Sequence, residues 1–319
     1  MKVLANDGLE TSGIEGLREK GFTVITDKVA QEDLVKYIND EQIEVLLVRS
    51  ATKVRTDIID NCASLKIIGR GGVGMDNIDV DYARSKGLHV INTPAASSQS
   101  VAELVFAHLF SGARFLEDAN RLMPQVGSTE FAKLKKKYTA GIELRGKTIG
   151  IVGMGRIGQE VARIALGLGM KVIAADTQVG KASIEVRFYN NQFINVDIET
   201  EPLNDVLAHA DFITFHVPAQ KDGYMIDEKE IAIMKDGVAI INCSRGGVIN
   251  ENALMAAIES GKVNFAGLDV FENEPTPSEN VLKHDRISLT PHTGASTLEA
   301  QERIAMSLVE QICSIYQIQ

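Results

Sequence analysis

Three side chains in the last third of the chain could share one reaction: Arg245 in INCSRGG, Glu274 in GLDVFENEP and His292 in ISLTPHTG. Each follows an apolar run that reads as a β-strand, and in an open parallel sheet residues just past the strand ends face the ligand crevice. Taking a hydride from a carbon that bears a hydroxyl also requires the hydroxyl proton to leave, and His is the side chain whose ordinary pKa lies nearest neutrality. His292 is therefore the candidate general base, and the acid in reverse. A carboxylate on the other imidazole nitrogen would fix the ring and stabilise its charged form, which suits Glu274. Arg245 can clamp a substrate carboxylate at two points and polarise the adjacent carbonyl.

The hydride acceptor has its own signature. Gly153-Met154-Gly155-Arg156-Ile157-Gly158 follows the apolar strand 148–152 and opens a helix through Leu166. Gly153 permits the tight turn, Gly155 lets backbone approach a pyrophosphate, and Gly158 allows helix and strand to pack closely, while the helix N-terminus offers N–H groups to phosphate. Asp176 closes the next strand, MKVIAAD, where a carboxylate accepts the ribose hydroxyls of NAD and repels the extra phosphate of NADP. A second glycine-rich run, Gly69 to Asn77, lacks the GxGxxG order, and its backbone N–H groups suit a carboxylate instead. His216, at the end of DFITFHVP near where the adenosine half of the cofactor should rest, and His108, on an apolar helical face, both read as core or cofactor-wall packing. Lys133, Lys135, Lys136 and Lys137 read as a solvated face.

These residues need two sets of strands to position them. VLA near Val3, FTVIT, VLLV at 45–48, LKIIG at 65–69 and HVIN read as buried parallel strands, with crossover helices such as 8–20 and 31–40 between them. A second array begins at Lys147 with KTIGIVG, MKVIAAD, DFITFHVP, GVAIINCS and NFAGLDVF. The fold class expected is α/β: two Rossmann-like, doubly wound parallel-sheet domains with an interdomain active-site cleft. Residues 98–136 carry a helical apolar face through Val101, Leu104, Val105, Leu109, Phe115 and Leu122 and should link the arrays. The last helix, from Thr297 to about Tyr316, has no strand partner nearby in sequence and is expected to return to the first array. The domains would then be 1–98 plus 293–319 for substrate, and 99–292 for NAD.

At 319 residues, with 45 % hydrophobic and 24 % charged side chains, the composition fits two globular domains and excludes a disordered or fibrous chain. The net charge of −10 disfavours nucleic acid and anionic membranes as partners. With no secretory signal and no apolar run near the roughly 20 residues of a membrane span, a cytoplasmic location is expected. Cys62, Cys243 and Cys313 lie far apart without CxxC spacing, so neither a metal site nor a disulfide framework is expected.

GMGRIG with Asp176, INCSRGGVINENAL, GLDVFENEP and TPHTGAST together resemble the D-isomer-specific 2-hydroxy acid dehydrogenases over essentially the whole chain. Within that family VRSATKV, GRGGVGMDNID, NTP followed by SVAEL, and HTGASTLEAQ look most like the D-3-phosphoglycerate branch. The resemblance implies NAD-dependent oxidation of 3-phospho-D-glycerate to 3-phosphohydroxypyruvate, at the entry to serine synthesis. Its alternatives are a hydroxypyruvate, glyoxylate or other D-2-hydroxy acid reductase, and, in another class, an NAD-responsive corepressor. Carried over, Arg245, Glu274 and His292 are the catalytic triplet. Arg156, Ile157, Asp176, His216, Val217, the backbone of Cys243 and Ser244, Gly294, Ala295 and Asp269 line the cofactor, with Asp269 reaching its carboxamide. Gly72 and Val73 cradle the substrate carboxylate, and Arg49 and Arg70 face the phosphate. The resemblance also implies a homodimer through the NAD domains, with the Lys135 segment reaching the partner's site, and closure that carries Arg70 and Gly72 toward His292. Departures are Val73 and Val217 where relatives can carry threonine, Ser97 where asparagine is common, and an unusually strand-like stretch at 177–210. The chain stops after its last helix, so a serine-binding regulatory domain is not expected.

Overall fold

Uninterrupted apolar runs become central strands when helices cover both faces of a sheet. In the computed structural model, which describes residues 1–318, this holds in two units, 1–98 with 295–319 and 99–294. The return crossing falls after Gly294 instead of after His292, so the loop that carries His292 belongs whole to the second unit.

In the first unit, β1 (Lys2–Ala5), α1 (Thr11–Glu19), β2 (Thr23–Ile25), α2 (Leu34–Glu41), β3 (Val45–Val48), α3 (Thr56–Asn61), β4 (Ile67–Arg70), α4 (Val80–Ser85) and β5 (His89–Asn92) alternate along the chain. The parallel sheet has the order β2-β1-β3-β4-β5. Val48 pairs with Arg70 in register, so Arg49 and Arg70 leave adjacent strands at one edge.

The second unit opens with α5 (Ser98–Ala113) and α6 (Leu116–Lys137), two helices where the sequence suggested one. They are separated at Phe115, whose φ of 54° lies in the left-handed region. Next come β6 (Thr148–Val152), α7 (Arg156–Gly167) and β7 (Lys171–Ala175). The unusual stretch is an antiparallel hairpin of β8 (Lys181–Arg187) and β9 (Phe193–Glu199), followed by α8 (Leu203–His209). Ala182, Ile184, Val186 and Ile198 on the ribbon are buried in one core with Val161 and Ala165 of α7.

The unit continues through β10 (Phe212–Phe215), α9 (Glu228–Ile233), β11 (Val238–Asn242), α10 (Glu251–Glu259), β12 (Val263–Leu268), α11 (Glu279–Leu282) and β13 (Ile287–Leu289). Its six strands are parallel in the order β13-β12-β11-β10-β6-β7. All their C-terminal ends therefore lie at one edge. That edge carries the glycine loop, Asp176, His216, Arg245, Glu274 and His292, and the strand order reverses beside β6. The last helix, α12 (Leu298–Tyr316), is capped by Thr297, whose hydroxyl accepts from Ala300 N, and packs on α1 as expected.

Among the described residues no helix is long and apolar enough to cross a membrane, and no cluster of His, Cys, Asp and Glu is placed to hold a metal. Cys62, Cys243 and Cys313 are free and buried.

Candidate active site

The loops after β11, β12 and β13 bring the expected triplet to one edge, and the first two loops touch closely. A Cβ on Gly246 would lie 1.8 Å from the carbonyl oxygen of Phe271, so only glycine lets the Arg245 loop rest against the loop that carries Glu274. Asn242 holds the first loop from within. Its amide donates to Arg245 O at 2.9 Å, and its Oδ1 accepts from Ser244 N and Oγ. Arg245 is half-buried and donates through Nη1 to Ser244 O.

Glu274 divides its oxygens between two tasks. Oε1 accepts from Phe271 N at 3.0 Å, which fixes the carboxylate to its own loop, and Oε2 lies 2.8 Å from His292 Nδ1. An ionised carboxylate only accepts, so His292 carries its proton on Nδ1 and presents Nε2 as the atom that takes or gives a proton. The histidine backbone has a φ of 54°, a left-handed conformation that costs on the order of 1–3 kcal/mol for a non-glycine residue. Asp269 holds it there. The Asp269 carbonyl accepts from His292 N at 2.8 Å, and its carboxylate accepts from Thr290 Oγ1 at 2.6 Å, Thr293 N at 2.7 Å and Gly294 N at 2.8 Å. Beside His292 and Glu274 lies a cavity of about 450 Å³, walled by Phe271, Pro275, Leu282 and Leu289.

The cofactor cradle lies at the same edge. Gly153 has a φ of 99°, and a Cβ there would meet His216 O at 2.5 Å; a Cβ on Gly158 would meet Gly153 O at 2.0 Å. Around Gly155 the space is open to 4 Å, and no side chain caps the first turn of α7. A dinucleotide pyrophosphate needs such an open backbone turn at an uncapped helix start. The residues present thus fit NAD. Asp176 ties this turn to β7: its carboxylate accepts from Met154 N at 2.7 Å, Gln178 N at 2.7 Å and Val179 N at 2.9 Å. Burial works to raise its pKa, yet these three N–H groups outweigh it and hold the group ionised below the ordinary carboxylate range. With three of about four acceptor sites used, one remains for a ribose hydroxyl.

His216 is buried: burial pushes its pKa down to about 3, Nε2 lies 3.1 Å from Thr214 Oγ1, and Nδ1 has no partner. Burial, with the charge of Asp269 nearby, raises the Cys243 thiol well above its usual range, which removes it as a nucleophile. Arg156 and Ile157 open α7, Val217 follows His216, and Gly294 closes the Asp269 loop; Ala295 falls in the first unit.

In the first unit the substrate candidates are held by residues the sequence reading did not single out. The buried carboxylate of Asp7 accepts from Arg49 N at 2.8 Å, from Thr52 N at 3.0 Å and from the Thr52 hydroxyl, and pairs with Lys28. Asn77 links the two arginines. Its Oδ1 accepts from Arg70 Nε at 3.1 Å, and its amide donates to Arg49 O at 2.8 Å and Thr52 O at 2.6 Å. The glycine turn departs from expectation at one point. Gly72 N already donates to Arg70 O at 3.0 Å, which leaves the exposed Val73 as the stronger backbone candidate for a carboxylate. Asn77 lies inside the quoted GRGGVGMDNID run, but nothing in local spacing says which carbonyls it meets.

Comparison with known proteins gives the family. Residues 106–294 match the model of the D-isomer specific 2-hydroxyacid dehydrogenase NAD binding domain. The chain is 43 % identical to a hydroxypyruvate reductase of Thermotoga maritima, over 98 % of this chain and 97 % of that protein. It is 41 % identical to a D-3-phosphoglycerate dehydrogenase of Methanocaldococcus jannaschii, over 98 % of this chain but only 57 % of that longer relative. Among solved structures, holo D-mandelate dehydrogenase of Rhodotorula graminis superposes with a TM-score of 0.85 at 25 % identity, covering 98 % of this chain and 93 % of that one.

Proposed function

The chain belongs to the D-isomer-specific 2-hydroxyacid dehydrogenases, and we propose that within that family it oxidises 3-phospho-D-glycerate to 3-phosphohydroxypyruvate. NAD is its cofactor, held by the turn from Gly153 to Gly158 and by Asp176, and when bound it accepts the hydride. His292 Nε2 takes the hydroxyl proton while Glu274 stabilises the imidazolium through Nδ1. Arg245 clamps the substrate carboxylate and polarises the carbonyl that forms. Asp269 supports the reaction through the His292 loop, where its carboxylate is already engaged, whatever contact it also makes to the carboxamide.

The observation that carries the substrate is the pair Arg49 and Arg70, on adjacent strand ends and joined through Asn77. Two cationic side chains issuing from neighbouring strand ends, with Asn77 holding the Arg70 guanidinium and the Arg49 backbone, suit a dianionic phosphate better than a neutral hydroxymethyl group. The deciding experiment is a comparison of kcat/KM with NAD for 3-phosphoglycerate, glycerate and lactate, in the native enzyme and in Arg49→Ala. The phosphorylated substrate should be preferred, and Arg49→Ala should raise its KM far more than that of glycerate. Turnover of glycerate but not of 3-phosphoglycerate would overturn the proposal in favour of a hydroxypyruvate reductase, the reading favoured by similarity to the Thermotoga maritima protein along nearly its full length. An NAD-responsive corepressor is opposed by the intact triplet.

We assign a homodimer through the second unit. In α6, which kinks at Glu130 and ends in Lys135, Lys136 and Lys137, Leu116 and Met123 before the kink and Phe131 just after it are exposed apolar side chains. A partner would cover such a face. A monomeric mass by light scattering at working concentration would refute the assignment. The unpaired thiols fit a reducing cytoplasm.

A further inference from the structure

We propose that His108 is a positioning residue for the acid/base loop, acting through a buried hydrogen-bond chain of fixed direction that ends on Asp269. The proposal rests on the reading of His292 as the acid/base. The sequence places His108 on an apolar face of α5, and it is 2 % exposed, yet both its ring nitrogens are engaged. Nδ1 lies 2.8 Å from Ser288 Oγ on β13, and Nε2 lies 3.0 Å from Thr290 Oγ1. The ring reaches there because β12 presents Gly267 beneath it; a Cβ at that position would lie 2.6 Å from His108 Cβ.

The carboxylate at the far end sets the direction of every bond. Asp269 can only accept, so the Thr290 hydroxyl spends its one proton on Asp269 Oδ1, at 2.6 Å. Thr290 Oγ1 can then only accept from the ring, so His108 must carry its proton on Nε2. Nδ1 is left bare and accepts from the Ser288 hydroxyl. The chain runs from Ser288 through His108 and Thr290 to Asp269, and Asp269 holds the backbone of His292, Thr293 and Gly294. Removing the donor at Nε2 leaves Thr290 free to rotate away from Asp269, and the carboxylate then loses one of the bonds that define where it sits. Its consequence is a displaced His292 Nε2, and small misplacements of a reacting group are costly in rate. Burial favours the neutral ring that this arrangement needs, while the charge of Asp269 pulls the other way.

Three variants separate positioning from bulk stability. His108→Leu removes both nitrogens. His108→Gln returns an amide N–H near the place of Nε2. Thr290→Val breaks the chain at its next step with nearly the same shape. We expect His108→Leu and Thr290→Val each to lower kcat at least tenfold with NAD affinity within twofold of native. His108→Gln should recover most of that loss, and the double variant His108→Leu with Thr290→Val should be no worse than either single one. Nitrogen-15 NMR of the native protein should show His108 as a single neutral Nε2–H tautomer at pH 7. Full kcat in His108→Leu, additive losses, equal losses in the Gln and Leu variants, or an Nδ1–H tautomer would each overturn the proposal. A fully active His292→Ala would instead refute the acid/base assignment, while the tautomer measurement would still test the chain.

Discussion

Replacing Glu274 tests the acid/base assignment most sharply, because the structure predicts that the closer chemical mimic will be the worse enzyme. The Glu274 carboxylate lies 2.8 Å from His292 Nδ1, and the imidazolium formed during oxidation feels its charge. Two unit charges about 4 Å apart at an effective dielectric near 20 attract by about 4 kcal/mol. Side-chain exposures of 43 % for His292 and 36 % for Glu274 admit solvent, which reduces the attraction to the roughly 2–3 kcal/mol of a hydrogen bond to a charged group. Glu274→Ala should therefore lower kcat by about 30- to 150-fold at 1.4 kcal/mol per decade. Glu274→Gln is nearly isosteric, but Phe271 N needs an acceptor where Oε1 now sits, so the amide oxygen takes that place and the NH₂ turns to His292. Nδ1 must then accept, the ring proton moves to Nε2, and the base is lost. A wrong tautomer of this kind costs up to about 10⁴ in a serine protease triad, so the Gln variant should fall about 10³-fold or more. Steady-state oxidation at pH 8, with NAD affinity and thermal midpoint as controls, checks the order. A Gln variant as active as Ala, or more so, would refute the shared-oxygen geometry.

The glycine cradle predicts opposite outcomes for two neighbours: Gly158→Ala puts a Cβ 2.0 Å from Gly153 O and should cost about 1–3 kcal/mol or more in urea unfolding. Gly155→Ala meets nothing within 4 Å, so it should leave the unfolding midpoint unchanged yet weaken NAD about tenfold by calorimetry. Asn77→Ala should raise KM for the phosphorylated substrate about tenfold or more while KM for its dephosphorylated analogue stays within twofold; equal effects on both would remove Asn77 from phosphate recognition. For Asp7, burial raises the carboxyl pKa, but Lys28, the N–H groups of Arg49 and Thr52 and the Thr52 hydroxyl together hold it below 3.8. A depressed pKa contributes stability that is present above the unfolded value and is lost as pH falls through the folded one. Asp7→Asn should therefore be less stable than native at pH 7, with the gap narrowing below about pH 4; a gap that widens in acid would contradict the assignment.

Strands such as VLLV and VAIIN were legible because every residue in them is buried, so a plain apolar run marks them. The triplet and the glycine turn were legible for a related reason: parallel strands all end at one edge, which makes the residue after each strand a candidate before any distance is known. The break between α5 and α6 was not legible, since the apolar face passes straight through Phe115 while the backbone there turns left-handed. Nor was the ribbon of β8 and β9 resolved, beyond its strand-like composition, because its turn at 188–192 lacks the Asn-Gly or Asp-Gly pair that marks a two-residue hairpin, and places Asn191 at a φ of 64° instead.

What the sequence hides most completely is the scaffold behind the catalytic atoms, and the reason is geometric. Glu274 and His292 announce themselves by type and by their place after a strand. Asp269 stands just after a strand too, but a carboxylate that anchors a loop has the same letter as one that meets a ligand. Only the bonds to Thr290, Thr293 and Gly294 separate the two roles. His108 lies 180 residues from Ser288, and the glycine that admits its ring is on a third element. No periodicity links such positions, because each satisfies its own local rule: His108 sits in a helical apolar stripe, Gly267 in a strand, Thr290 before a proline. Their joint meaning depends on hydrogen-bond direction, and that direction is fixed by one acceptor-only group at the end of the chain. Hidden positioning residues should therefore be sought by tracing donors backward from buried carboxylates beneath a catalytic loop. Asp7 supports the same logic in the first unit, where its carboxylate fixes the backbone from which Arg49 projects.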